Sequence, residues 1–244
     1  TYASRIQKAM QPPADFVNRI LPRHFILNRP RDIVSGDFFY VKKEGDHVIF
    51  AAADCTGHGV PGALMSMLGL GFLNEIVNQQ NYKNAADILN QLRANVINAL
   101  HPTGQVGETK DGMDIALCLW DKATNILHFA GANNPLYLIR EDALIEYNAD
   151  KMPVGVQKES EDLFNNHIVD FKKGDCLYLF SDGYIHQFGG EAGRKFNHKQ
   201  FKELLISCRE IPINEQKDYL NQTLEEWRGS YYQLDDILVM GVRM

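Results

Sequence analysis

The sequence has no C-x-x-C pair and no disulfide-like cysteine spacing. Its four cysteines, Cys55, Cys118, Cys176 and Cys208, are scattered over 244 residues. Such thiols read as reduced and mostly buried, which points to the cytoplasm, and they argue against zinc, which wants Cys and His at short spacing. No apolar run reaches the roughly 18–20 residues of a membrane span, and no secretory leader is visible. Positive charge is in deficit: 25 Lys and Arg face 31 Asp and Glu, for a net charge of −6. Without a basic stripe, nucleic acid is a poor partner. Also missing are a G-x-x-x-x-G-K-[ST] loop, a G-x-S-x-G elbow around Ser181 and an H-E-x-x-H helix.

What is present is an ordinary globular balance, 45% apolar and 23% charged. A chain of this length buries roughly 70–75% of its unfolded surface and needs no staples. "TYASRIQKAM" puts Tyr2, Ile6, Ala9 and Met10 on one helical face, and Pro12-Pro13 stops it. The chain opens at Thr1 in mid-pattern, so a fragment of a longer protein is expected. Strands are expected over 32–41 and 47–54, joined by the "KKEGD" turn as a hairpin. Pro61 suits the first turn of a helix over about 60–78, whose Gly62, Gly69 and Gly71 imply close packing on a sheet. Asn84 and Asp87 resemble a capping box that opens a second helix, to about His101. The polar loop "PTGQVGETKDG" follows. A run of strands comes next: "MDIALCLWD", "ILHFAGANN", "LYLIR", "ALIEYN", "HIVDF" and "DCLYLFSD". "MPVGV" reads as a turn and "GGEAGRKF" as a mobile surface loop. Helices near 198–207 and 214–228 precede a closing strand, "DDILVMGVRM". That order is not β-α alternation; it implies an α+β fold of antiparallel sheets flanked by helices.

One junction recurs. "HVIFAAAD" runs apolar and stops at Asp54, and "DCLYLFSDG" does the same at Asp182. "LDDILVMGV" mirrors them, with Asp235 and Asp236 at the start of a strand, and Asp37 sits inside "VSGDFFY". Each carboxylate taken alone reads as a turn residue or a helix cap. Asp114 in "DGMD" is most simply the start of a strand, and His58 in "GHG" a structural turn residue. Taken together, carboxylates beside a core are costly unless paired or bound to metal, and they raise one another's pKa. A pair of hard divalent cations, Mg²⁺ or Mn²⁺, resolves that and can activate a water against a phosphate ester.

These residues resemble the SpoIIE-type branch of the metal-dependent PPM (protein phosphatase 2C-like) family. The matching stretches, in the family's order, are "RPRDIVSGDFFY", "AADCTGHGVPGALMSMLG", "DGMDIALCLWD", "LHFAGANNPLYL", "KMPVG", "GDCLYLFSDGY" and "DDILVMGVR". The resemblance implies an α-β-β-α sandwich of two antiparallel sheets and hydrolysis of phosphoserine or phosphothreonine on a protein. It implies that Asp54 bridges two divalent cations, Mn²⁺ or Mg²⁺, with the Cys55 carbonyl as the next ligand. Asp182 and Asp235 would hold the second metal, Asp37 would ligate or stand just behind the ligands, and Asp236 is a neighbour of open role. His58 would protonate the leaving oxygen, although the turn here is "DCTGHG" where eukaryotic relatives have "DGHG". Those relatives hold phosphate with an Arg near the N-terminus, for which Arg29 and Arg31 are candidates. Where they carry an acid for a third metal, this chain has Asn133.

The implied organisation is an N-terminal linker and regulatory helix region over 1–21 and a phosphatase domain over 22–244. Implied partners are a phosphorylated regulatory protein, such as an anti-sigma factor antagonist, and an upstream sensor in the full-length chain. A homodimer through the N-terminal helix is a further expectation. The competing readings are another two-metal phosphoester hydrolase and a non-catalytic module that binds a phosphoprotein.

Overall fold

The computed structural model describes residues 2–100, 111–156 and 162–244. Two short helices come first, α1 (Tyr2–Met10) and α2 (Ala14–Ile20), then strands β1 (His24–Arg29), β2 (Phe38–Glu44) and β3 (His47–Cys55). Helices α3 (Gly59–Gln79) and α4 (Ala85–Leu100) follow. Next are β4 (Gly112–Asp121), β5 (Ile126–Ala132), β6 (Leu136–Arg140), β7 (Ala143–Tyr147), β8 (Val154–Gly155), β9 (His167–Val169) and β10 (Cys176–Phe180). The chain closes with α5 (Gly183–His186), β11 (Phe188–Gly189), β12 (Arg194–Lys195), α6 (Asn197–Ser207), α7 (Ile213–Arg228) and β13 (Ile237–Arg243).

The expected sandwich is present. One sheet has the order β1-β13-β10-β6-β7; the other runs β2-β3-β4-β5-β9, with β8 paired to β4. The ladders between these named strands are all antiparallel. Alternation along β3 explains the layering. Val48, Phe50 and Ala52 face the other sheet and meet Leu177, Leu179, Leu238 and Met240. Ile49, Ala51 and Ala53 point the other way, under α3 and α4. The opposite sheet turns Tyr137, Tyr178, Phe180 and Val239 toward α6 and α7. Both faces of each central strand are therefore dry, which is why β3 reads as an uninterrupted apolar run rather than an alternating one. Helix α3 has the length and composition of a membrane span, but half of that stretch is buried inside the fold. Its apolarity serves as the cover of a sheet.

Several local expectations need correction. The strand expected over 32–41 starts only at Phe38. Backbone donors upstream are taken by side chains instead of a ladder: Arg31 and Gly36 N–H donate to the Asp236 carboxylate, and Ser35 N–H donates to Gln7. The hairpin turn tightens to two residues, with Glu44 opposite His47 and Gly45 at φ +57°. "MPVGV" is not only a turn, because Val154 and Gly155 pair with Met113 and Gly112. "GGEAGRKF" forms the β11–β12 hairpin, held by the Gly190 N–H bond to the Trp227 carbonyl at 2.8 Å. Strand β1 and helix α2 were not anticipated. Most of "PTGQVGETKDG" lies outside the described residues.

The N-terminal segment packs on the domain. Val17, Ile20 and Leu21 enter the core between the sheets. In α1, Gln7 is buried: its amide donates to the Ser35 carbonyl at 2.5 Å and to Ser66 Oγ of α3 at 2.9 Å. Met10 packs against the core under α3, while Tyr2 and Ile6 stay exposed.

Candidate active site

At one end of the sandwich, Asp54, Cys55, Thr56, Gly57, His58, Asp114, Asp182 and Asp235 line an open cleft of about 360 Å³. Strand ends deliver them. β3 carries Asp54 and ends at Cys55, a buried residue that also borders the cleft. Thr56 ties the departing loop to β4, with its N–H 2.9 Å from the Gly112 carbonyl. Gly57 and Gly59 then turn the chain at φ +85° and +64°, a region that favours glycine. Asp182 follows β10 and is 3.1 Å from His186 Nδ1. Asp235 lies just before β13 and accepts the Asp236 N–H at 2.9 Å.

Asp37 and Asp236 sit behind this wall. Asp37 is 1% exposed and accepts the Ser181 hydroxyl at 2.5 Å. Asp236 is 3% exposed, and its two oxygens take the Arg31 and Gly36 amides at 2.7 and 2.8 Å. Asp236 thus braces the loop that carries Asp37 rather than lining the cleft. The two candidate arginines part ways. Arg29 turns to α7, where it meets Asn221 at 2.8 Å and Glu225 at 2.5 Å. Arg31 reaches the rim, with Nη2 2.6 Å from His58 Nδ1 and Nη1 donating to the Leu234 carbonyl at 3.0 Å. Asp32 anchors that guanidinium at 3.1 Å.

Asp114 is the residue that the strand-end pattern missed. It stands directly opposite Asp54 in the β3–β4 ladder, and Asn133 Nδ2 donates to it at 2.8 Å. Asn133, noted for replacing an acid, therefore touches the cleft through Asp114. The available signal was a carboxylate at the third position of a strand that is apolar from Ile115 to Trp120.

The electrostatics follow from crowding. Burial first, then Asp182, Asp235 and Asp114, push the Asp54 carboxyl up to about 8. Asp37 is raised well above the carboxylate range by burial and by Asp54. Burial also raises Asp114 and Asp235. Among the described residues no three or more His, Cys, Asp or Glu side chains are gathered at metal-ligand spacing. The carboxylates that line the cleft, Asp54, Asp114, Asp182 and Asp235, nevertheless form an oxygen donor set with no Lys or Arg among the lining residues, which fits hard divalent cations better than zinc.

A pH test follows. A carboxyl whose pKa is raised on folding holds its proton longer in the native state than in the unfolded one. Its contribution to stability is full below about 4 and is lost as pH rises toward about 8. In chelator, the melting temperature is expected to fall between pH 5 and about 8, and Mn²⁺ is expected to restore it most at the upper end. A chelated protein that melts higher as pH rises through that window would contradict this account.

The model of the stage II sporulation protein E (SpoIIE) family matches residues 44–244. The chain belongs to that family. It is similar to the SiaA-PP2C domain of Pseudomonas aeruginosa, with 31% identity and a TM-score of 0.88 over 100% of this chain and 94% of that one. It also superposes on the PP2C phosphatase domain and regulatory-domain fragment of SpoIIE from Bacillus subtilis, at 17% identity and TM-score 0.72 over 91% of this chain and 62% of that one. A third likeness is RsbX in complex with magnesium, at 14% identity and TM-score 0.58 over 91% and 94%. The last two show the fold alone. No curated protein matches the chain in sequence. The SpoIIE-family chain is thus a PP2C-type protein phosphatase domain with the PPM fold.

Proposed function

We propose that this domain hydrolyses phosphoserine or phosphothreonine on a bacterial regulatory protein, with two divalent cations, Mn²⁺ or Mg²⁺. The observation that carries the reading is the convergence of Asp54, Asp114, Asp182 and Asp235 on one cleft, with His58 at its wall. Asp54, the Cys55 carbonyl, Asp182 and Asp235 would hold the cations, with Asp37 behind Asp54. Bound there, the cations would activate a water for attack and supply positive charge for the phosphoryl oxygens. Magnesium in the structure of RsbX agrees with this choice.

The chain's own residues account for the proton. An arginine only donates, so a guanidinium against His58 Nδ1 makes that nitrogen the acceptor and leaves the proton on Nε2. To protonate the leaving seryl oxygen from Nε2, His58 must act as the imidazolium with a second proton on Nδ1, and the Asp32 carboxylate, 3.4 Å away, is placed to accept that Nδ1–H once Arg31 yields the nitrogen. His58→Ala is expected to lower kcat by about 10²–10⁴-fold on an alkyl phosphate such as phosphoserine. The loss should shrink on an aryl phosphate, whose leaving oxygen needs little protonation. Equal losses on both would assign His58 to the turn alone.

The deciding assay compares a phosphoserine peptide, a phosphodiester and an aryl phosphate, each with Mn²⁺ and with chelator. Metal-dependent turnover of the peptide supports the reading. Preference for the diester would favour another two-metal hydrolase, and tight binding without turnover a non-catalytic module. Four free, buried cysteines suit the cytoplasm. The domain is read as the output of a larger signalling protein, and pairing of two chains through α1 would rest on the exposed Tyr2 and Ile6.

A further inference from the structure

The stretch "HQFGG" (His186–Gly190) follows Asp182 but does not line the cleft. Its glutamine is nevertheless fully buried, at 0% exposure, just past the end of α5. A buried amide is costly unless its polar atoms are paired. Gln187 pairs its amide with the segment that leads into Asp235. Nε2 donates to the Tyr232 carbonyl at 2.9 Å and to the Phe188 carbonyl at 3.0 Å, and Oε1 accepts the Leu234 N–H at 3.3 Å. The side chain thus meets residues 232 and 234 as a neighbouring strand would. The Gln187 main chain is itself fixed, because its carbonyl accepts Trp227 Nε1 at 3.1 Å and the Phe196 N–H at 3.0 Å.

The segment it grips lies between α7 and β13, outside any ladder. Side chains hold it in place. Gln233 Nε2 donates to the Arg29 and Asp235 carbonyls, both at 2.8 Å, and Arg31 Nη1 donates to the Leu234 carbonyl at 3.0 Å. Of Gln187, Gln233 and Arg31, Gln187 alone is buried.

We propose that Gln187 is a positioning residue for the metal site: it sets the spacing of Asp182 and Asp235 by clamping the approach to β13 onto the chain that leaves α5. The inference rests on the two-metal reading and deepens it. Both carboxylates line the cleft, and that reading assigns them to one cation. Like charges repel until the cation binds, so their spacing has to be imposed by the backbone that carries them. Asp182 is carried by the turn into α5, and Asp235 directly follows Leu234. Gln187 joins those two stretches through an amide that touches neither carboxylate.

The test strips the domain with chelator and then titrates Mn²⁺ by calorimetry, with a melting curve for each protein. Gln187→Met removes the amide at nearly constant volume. Gln216→Met is the matched control. Gln216 is also 0% exposed; its amide donates to the Cys208 and Ile211 carbonyls at 2.8 and 3.0 Å and accepts the Tyr178 hydroxyl at 2.9 Å. None of those partners lines the cleft. Both variants should melt lower than wild type, since each loses a buried, paired amide. Gln187→Met alone is expected to weaken Mn²⁺ binding, by about 10–100-fold, the loss typical of removing a support behind metal ligands. Its phosphopeptide rate should fall at low Mn²⁺ and recover as Mn²⁺ is raised. Unchanged Mn²⁺ affinity in Gln187→Met, or equal weakening in Gln216→Met, makes Gln187 a packing residue and overturns the proposal, with the two-metal reading intact. A wild-type domain that binds no Mn²⁺ overturns both. Should Gln187→Met fail to fold, Gln187→Glu keeps an acceptor for the Leu234 N–H and is put through the same titration. Weaker Mn²⁺ binding there supports the clamp, and wild-type affinity overturns it.

Discussion

Asp54→Asn is expected to lower phosphopeptide hydrolysis by more than about 100-fold, beyond the loss that follows from removing a mere outer partner of a metal ligand. The residue stands at the centre of the carboxylate set: Asp37, Asp114, Asp182 and Asp235 all act on it. Removing its charge removes the group best placed to serve two cations at once. The same substitution should make the chelated protein more stable near neutral pH, because the fold no longer has to hold a proton on a buried carboxyl that the unfolded chain would release. Loss of rate together with a gain in metal-free melting temperature separates a ligand from a residue that only supports the fold. Asp182→Asn, on the more open side of the cleft, should cost comparable activity. Near-normal turnover by either variant with Mn²⁺ would sink the two-metal assignment.

Gly62→Ala is the second large effect, and here local and tertiary reasoning give opposite signs. Inside a helix, alanine is favoured over glycine by about 1 kcal/mol. In this fold a Cβ on Gly62 would lie 2.2 Å from the Gly57 carbonyl oxygen and 3.0 Å from Gly36 Cα. Those atoms belong to the loop carrying His58 and to the one carrying Asp37, and both are backbone, which cannot swing aside. Overpacking of this kind costs about 1–3 kcal/mol, and a shift of about 1 Å in a catalytic loop can cost 10²-fold in rate. The variant should therefore melt lower and lose about 100-fold in activity while its helical circular dichroism is unchanged. Gly71→Ala is the control: the site is open, with nothing within 4 Å of the added carbon. It should gain up to about 1 kcal/mol and keep full activity. A Gly62→Ala protein with wild-type melting and rate would show that α3 does not press on the two loops.

The strand-end carboxylates were legible because their signal is local. A dry strand has no use for a charge, so an apolar run that halts at Asp54 or Asp182 marks the rim of a core. Asp114 carried the same signal more weakly, since it lies near the start of its strand instead of at its end. Only the register of β3 against β4 sets it opposite Asp54. Arg29 and Arg31 could not be told apart in sequence, being two residues apart with the same chemistry. They separate because β1 ends at Arg29, whose side chain faces α7, while Arg31 lies beyond the strand in the loop that Asp236 pins.

Sequence alone thus determined the class of the fold, its principal helices and strands, and the chemistry of the donor set. Periodicity, turn residues and the cost of a charge beside a core are properties of short stretches. Tertiary structure alone decided which carboxylates wall the cleft and which stand behind it. It decided that residues 30–37 form a braced loop and not a strand, because their amides are claimed by Asp236 and Gln7 from far along the chain. It also made Gly62 obligatory, since the reason lies in two loops that meet only when α3 closes over its sheet. Such contacts join residues dozens to hundreds of positions apart, and no local pattern encodes them.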